Sequence, residues 1–325
     1  MNSNNIFYQP STPSYQVQSP VAFFIYNRPN LTQKIFNEVA KAQPKRLFVI
    51  ADGPKHSDYD RKLCEETRAV TENITWECEV TRFYSSTNLG CRSRISSGLN
   101  QLFDTVEEAI ILEDDIFPHE SFFRFCDEML TRYKDNPQIM MVAGCNVFQT
   151  THPHYSYFFS RYPSIWGWAT WKRAWKRYDV NICEWPRRKK SKALHSYFTN
   201  AIEVKIFSSL WNDIYYEKFD TWDYQWDYCR FFSKGIGIIP SENLITNLGF
   251  GAHATHTKDR NNFLASLPLS ALNFPLFHPQ RVEIYKDYDE IYFRRLLYRP
   301  PWRIQLSKIK KKVKNVYKQA ISAFN

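Results

Sequence analysis

An α/β fold built on a mixed, mostly parallel sheet is what the sequence predicts, on three observations. Short apolar runs recur along the first half of the chain, at residues 21–26, 46–51, 109–112 and 139–143, each stopped by a turn or a polar residue, as buried parallel strands are. Between them lie stretches with helical spacing, such as Leu31, Ile35, Val39 and Ala42. Strands and helices alternating at this rhythm form a parallel-rich sheet with helices against its faces. The third observation is chemical: the run from Ala109 to Leu112 passes directly into Glu113, Asp114 and Asp115. Open α/β sheets bind their ligands just beyond the carboxyl ends of the strands, which is where those acids fall.

The elements follow in order. Residues 1–19, rich in Asn, Ser, Gln and Pro, have little to bury and read as a flexible lead-in. A first strand at 21–26 stops at Asn27, Arg28 and Pro29, and a helix takes over from Leu31. The second strand, 46–51, ends at the turn Asp52, Gly53, Pro54, leaving the Asp52 carboxylate at the rim either to cap its own turn or to meet a ligand. A polar helix at 58–72, a strand at 76–84 and a turn from Asn88 lead to a helix lined by Ile95, Leu99, Leu102 and Phe103. Arg92 and Arg94 open that helix, where backbone N–H groups and cations together favour an anion. Phe122, Phe123, Cys126, Leu130 and Tyr133 keep core spacing on the next helix, which starts near His119. From Gly144 the character changes. Trp166, Trp168 and Trp171 crowd around Gly167, and the stretch 219–227 interleaves aromatics with Asp220, Asp223 and Asp227. Each stretch reads either as an amphipathic core helix or as an aromatic platform beside carboxylates, the surface a neutral polyol needs. A strand at 235–240 then precedes a loop bearing glycines together with His253 and His256.

The formal charge of +10 is concentrated at one end, because ten basic residues and no acid follow Glu290. Setting those ten aside, basic and acidic residues balance at 33 each, which argues against a nucleic-acid-binding body and confines any polyanion contact to the tail. In that tail Ile309, Val313, Val316, Tyr317, Ala320, Ile321 and Phe324 share a helical face, with lysines over much of the rest. Such a helix can lie on an anionic membrane. Seven scattered cysteines without a paired spacing read as reduced thiols of a cytosolic protein and give no zinc site. No leader pattern and no run approaching ~18 apolar residues is present, so the expectation is a cytoplasmic enzyme, peripheral on the inner face of the membrane.

Three adjacent acids at a sheet rim are costly unless a cation sits among them. Hard oxygen ligands suit Mn²⁺ or Mg²⁺. Neither the dinucleotide-binding glycine fingerprint nor the phosphate-loop motif occurs, so a metal has to carry a bound phosphate. Of the two loop histidines, His256 is the candidate to join it.

With these residues in hand, the order of parts resembles the GT-A-fold nucleotide-sugar glycosyltransferases, nearest to the Golgi N-acetylglucosaminyltransferases that initiate complex N-glycans and their bacterial relatives. The resemblance spans residues from about 20 to about 260. It rests on the opening strand to Pro29, the strand end at Asp52 and Gly53, the acids after Leu112, the segment Trp166, Gly167, Trp168 and the stretch 222–230. It implies a catalytic domain over 20–282, with the nucleotide-sugar and metal half at 20–145 and the acceptor half at 146–282, followed by a basic tail at 283–325. It further implies that Asp115 coordinates Mn²⁺ on the donor diphosphate, that Glu113 and Asp114 hold the donor sugar and ribose, and that Arg28 and Asp52 meet the nucleotide, to which Arg92 is added by its place at a helix start. Trp166, Gly167 and Trp168 would shape the sugar pocket, and an aspartate of the stretch 222–227 would take the acceptor proton in an inverting displacement; of Asp220, Asp223 and Asp227, the aromatic flanks Trp222 and Tyr224 favour Asp223, with Asp227 next. The donor expected is a UDP-sugar and the acceptor a glycan or lipid-linked hydroxyl. A tryptophan stands at position 166 where the Golgi enzymes have leucine, so the particular sugar does not carry over. Two other classes compete: a nucleotidyltransferase that makes the sugar nucleotide, for which residues 27–29 lack the glycine-rich basic loop, and a carbohydrate-binding protein without turnover.

Overall fold

The computed structural model describes residues 15–150, 152, 154–198, 200–250 and 263–298. Its framework begins with units in which an apolar run with no side chain to solvate is followed by a helix that covers it. β1 (Val21–Ile25) is buried throughout, and α1 (Pro29–Ala42), started by a proline in its first turn, lays Ile35, Phe36 and Val39 against it. β2 (Arg46–Ala51), α2 (Asp58–Val70), β3 (Glu79–Tyr84), α3 (Gly90–Thr105) and β4 (Glu108–Glu113) continue the pattern. β1 lies between β2 and β4, parallel to both, so that Phe24 is level with Ile50 on one side and Glu113 on the other. After the short β5 (Ile116–Pro118) come α4 (Glu120–Tyr133), β6 (Ile139–Ala143), β7 (Tyr157–Ser160) and β8 (Trp168–Trp171). Helices then dominate, with α5 (Lys172–Trp175), α6 (Trp185–Lys190), α7 (Ala201–Tyr215) and α8 (Asp223–Phe232), before β9 (Ile236–Pro240), β10 (Ile245–Asn247) and α9 (Lys286–Tyr292).

Eight strands form one mixed sheet in the order β3-β2-β1-β4-β8-β6-β9-β7. The pairs among β1 to β4 and the pair β6 with β9 are parallel; β8 runs antiparallel to β4 and β6, and β7 antiparallel to β9. The expected α/β architecture with a mostly parallel mixed sheet is therefore what the chain adopts. One face packs on α1 and α4, and the other on α3 and the helices of the second half.

Some sequence expectations need correcting. The tryptophan-rich stretch 164–171 is a strand at its end, not a helix: Trp168 goes to one face of the sheet and Ala169 and Trp171 to the other, the period of two that burial on both faces requires. Residues 15–19, grouped with the lead-in, are anchored. Asp127 accepts hydrogen bonds from Tyr15 Oη and the amides of Gln18 and Ser19, and Val17 is buried. The basic tail does not start at 283, because α9 buries Tyr288, and its Asp289 accepts from Ser160 Oγ at 2.5 Å and Arg161 Nε at 2.8 Å. Residues 299–325, which carry the amphipathic pattern, lie outside the described residues.

Candidate active site

The acids reach the rim because β4 is apolar until its last residue. Glu113, level with Phe24, is the end of the strand and half-buried; Asp114 is buried, its Oδ2 accepting from the Tyr26 amide at 3.0 Å. Asp115 falls between β4 and β5 and is clamped by the next layer, since β10 pairs antiparallel with β5 and the Leu248 amide donates to the Asp115 carbonyl at 2.8 Å. Gly249 has to be glycine here, because a Cβ on it would lie 2.1 Å from Asp115 Oδ2.

A cation does sit among the acids, and it is Arg28. From the residue that precedes α1, its Nη1 lies 2.7 Å from Asp115 Oδ2 and 3.2 Å from Asp114 Oδ1. One guanidinium does not offset three carboxylates. Burial, then repulsion from Asp115 and Asp114, pushes the Glu113 carboxyl up to about 8; burial, against the pull of Arg28, pushes Asp114 up to about 7.

A further acidic group faces this one from the second half of the chain. Asp223 opens α8, accepts a very short hydrogen bond from Thr221 Oγ1, and lies near enough to Glu113 for its charge to add to the rise there. Cys91 in the first turn of α3 marks the meeting point. Its thiol is raised by burial and then by Glu113, Asp223, Asp220 and Asp115 together, so it is an inert thiol inside an acidic ring. Asp220 joins the two halves, accepting from the Arg92 amide at 3.4 Å, while Arg92 Nη2 reaches Glu217 at 3.3 Å.

The remaining candidates divide. Asp227 is held by Arg230 at 2.6 Å; burial raises its carboxyl and Arg230 opposes that, and Arg230 itself donates to the Arg161 carbonyl. Asp52 turns both oxygens inward, accepting from the amides of Gly53, Leu89 and Gly90 and from Asn88 Nδ2, which makes it the cap of its own loop. Trp168 is in the aromatic core, its ring 5.4 Å from Trp222. Gly167, at φ +56°, is needed because a Cβ would meet Ile245 Cδ1 at 2.4 Å. Trp166 stays half-buried, its ring edge-on to Phe250 at 5.7 Å. His256 lies outside the described residues. The structure thus brings together Arg28, Glu113, Asp114 and Asp115 with Asp223 in electrostatic reach, ties Arg92 to Asp220 and Glu217, and gives Asp52, Gly167, Trp168 and Asp227 partners within the fold.

Sequence reasoning missed Asp60. It accepts from Asn27 Nδ2 and the Lys55 amide, each at 2.6 Å, and from Tyr26 Oη at 2.8 Å, and so fixes the loop that aims Arg28. Burial works against its ionised form, but the hydrogen bonds from Asn27, Lys55 and Tyr26 outweigh it and hold the carboxyl low. Nothing in the pattern of a polar helix separates this aspartate from its neighbours Asp58 and Glu65. Cavities of about 560 and 620 Å³ lie elsewhere, beside residues 132–137 and 279–282 and beside Tyr15, Pro20 and Glu108, at the opposite ends of the strands.

Among the described residues no three His, Cys, Asp or Glu side chains converge as a metal cage. The donor set still fits a hard divalent ion, which binds through one or two carboxylates and takes substrate phosphate oxygens and water for the rest. Asp115 supplies such a carboxylate, with Gly249 making room against it and acid charge left uncompensated beside it.

No protein-family profile matches the sequence, and no curated protein matches it. Similar solved structures include a mannosyltransferase from Pyrobaculum calidifontis in complex with GDP-Man and Mn²⁺, at 12% identity and TM-score 0.32, overlapping 49% of this chain and 45% of that one. A cytidylyltransferase from Leptospira borgpetersenii overlaps 54% of this chain and 68% of its own, at 13% identity and TM-score 0.31. A 4-diphosphocytidyl-2C-methyl-D-erythritol synthase from Anaerococcus prevotii overlaps 49% of this chain and 75% of its own, at 11% identity and TM-score 0.30. The chain spans less than half the length of the mannosyltransferase, and likeness of this degree assigns no residue a role.

Proposed function

We propose that the chain is a metal-dependent glycosyltransferase of GT-A type that moves a sugar from a nucleoside-diphosphate sugar to a hydroxyl acceptor with inversion. The observation that carries this is the acid triplet at the end of β4, its Asp114 and Asp115 bridged by Arg28 at the rim, with Asp223 of the second half within electrostatic reach of Glu113. A sugar nucleotide already holds a good leaving group, so the protein's tasks are to neutralise the departing diphosphate, align two hydroxylic reactants and remove one proton. Asp115 would hold Mn²⁺ or Mg²⁺, which supplies Lewis-acid stabilisation of the leaving oxygens. Arg28 adds positive charge beside the diphosphate, Glu113 and Asp114 accept hydrogen bonds from sugar and ribose hydroxyls, and Trp166 offers a flat apolar edge. Asp223 takes the acceptor proton. His256 stays a second candidate ligand, and the acceptor is a glycan or lipid-linked hydroxyl at an anionic membrane to which residues 299–325 attach the enzyme from its cytoplasmic side.

Hydrolysis of a panel of sugar nucleotides, UDP-sugars first, with Mn²⁺ or with EDTA, tests the reading. Metal-dependent release of the nucleoside diphosphate is expected, abolished by Asp115→Asn with the fold intact. Pyrophosphate release from a nucleoside triphosphate and a sugar phosphate would instead identify a nucleotidyltransferase. Sugar-nucleotide binding without any turnover would identify a binding protein.

A further inference from the structure

One oxygen of the carboxylate that the proposed function gives to the metal is already taken. Arg28 Nη1 lies 2.7 Å from Asp115 Oδ2, closer than its 3.2 Å contact with Asp114, and a Cβ at Gly249 would collide with the same Asp115 oxygen. A divalent ion and a guanidinium bound to one carboxylate group repel each other at short range in a site only partly open to water. They therefore compete for it. Arg28 does not leave at no cost, since it neutralises Asp114 as well, and burial makes every uncompensated charge there expensive. A diphosphate is the anion that would receive it, because a guanidinium matches phosphate oxygens in geometry and charge.

We infer that Arg28 is an exchangeable counter-cation: it occupies Asp115 until a nucleoside diphosphate draws it away, so that metal and nucleotide bind cooperatively. This rests on the metal reading above and adds to it a cause for ordered assembly. The position of Arg28 at the start of α1 suits the exchange, because its backbone is pinned there by the Thr32 amide donating to its carbonyl at 2.9 Å, so that only the side chain would have to move. Coupling between two ligands through one such group is typically 5- to 150-fold.

The test is Mn²⁺ binding to the full chain, read by the electron paramagnetic resonance of free Mn²⁺, with and without UDP or GDP, for wild type, Arg28→Gln and Arg28→Lys. In wild type the nucleotide should tighten Mn²⁺ binding on the order of tenfold or more. Arg28→Gln should bind Mn²⁺ alone on the order of tenfold more tightly than wild type, with the nucleotide effect reduced. Arg28→Lys keeps a cation in place, so its Mn²⁺ affinity without nucleotide should stay near wild type. Circular dichroism establishes that each variant is folded. A purely structural arginine predicts weaker metal binding on its removal, so Mn²⁺ affinity unchanged or lowered in Arg28→Gln overturns the inference and leaves the metal reading standing. Absence of Mn²⁺ binding to every variant, with nucleotide or without, overturns both.

Discussion

At the scale of single residues, the two aspartates that compete for the role of base are separated by their partners. Asp227 is neutralised by Arg230 at 2.6 Å, and that arginine is among the most buried side chains, so the pair is part of the framework. Asp223, in the first turn of α8, accepts a hydrogen bond from Thr221, and its charge reaches Glu113 of β4. Asp223→Asn should lower kcat by on the order of 10²-fold or more while calorimetry still detects the sugar nucleotide. A kcat near normal would move the role elsewhere. Asp227→Asn should show itself first as lost stability, because it strands a buried guanidinium. A separate prediction concerns Asp60. Removing its carboxylate in Asp60→Ala leaves the Lys55 amide, Asn27 and Tyr26 without their acceptor, at a cost of about 2–3 kcal/mol in denaturant unfolding at pH 7. Its folded-state pKa is depressed, so its contribution is full above the unfolded value of about 4 and falls away as pH drops through the folded one. The gap between wild type and variant should therefore narrow between pH 5 and pH 3; a constant gap would mean that Asp60 acts through packing and not charge.

At the scale of elements, the site is a junction of two constructions with different legibility. The parallel half was readable because β1, β2 and β4 carry apolar runs and the helices between them have one buried stripe, so that periodicity and burial agree. β8 was not, since Trp168 to Trp171 is buried on both faces and has no alternation of polar and apolar residues to distinguish a strand from a helix. The same blindness hid β5 and β10, three residues each, whose pairing positions Asp115. Acids at a strand end are visible in sequence, whereas the arginine that pairs with two of them, from the start of α1, is visible in that role only in three dimensions. Two glycines at this junction make the distinction testable. Gly167→Ala forces a side chain into left-handed backbone and against Ile245, and should cost about 1–3 kcal/mol of stability. Gly249→Ala has ordinary backbone but would press on Asp115 Oδ2, so its effect should fall on turnover, roughly 10²-fold, with melting temperature little changed. Equal loss of stability in both would show that β10 is a structural clip with no part in aiming Asp115.

At the scale of the whole molecule, the balance of 33 basic and 33 acidic residues outside the tail conceals a strong asymmetry. Between Lys172 and Lys205 ten basic residues meet three acids, and one of those, Glu203, is buried and bonded to Tyr162. Lys176, Arg177, Arg187, Lys189, Lys190, Lys192 and Lys205 are exposed, around α5, α6 and the start of α7. The rest of the body is correspondingly acidic, in keeping with the carboxylates gathered at the rim. Among the described residues no helix is long and apolar enough to cross a membrane, so any membrane contact has to come from charge and from the amphipathic pattern of residues 299–325. Each basic residue close to an anionic leaflet contributes roughly 1 kcal/mol at physiological salt and is screened within a Debye length of about 8 Å. The patch on α6 is thus large enough to matter even without the tail. Co-sedimentation with anionic liposomes should show strong binding by the full chain and weaker, salt-sensitive binding by a chain ending at Tyr298. In that shortened chain, Lys189→Glu, Lys190→Glu and Lys192→Glu together should abolish what remains. Binding that the deletion leaves undiminished would take the membrane role from residues 299–325 and give it to this face; no binding by the shortened chain at low salt would confine the role to the tail.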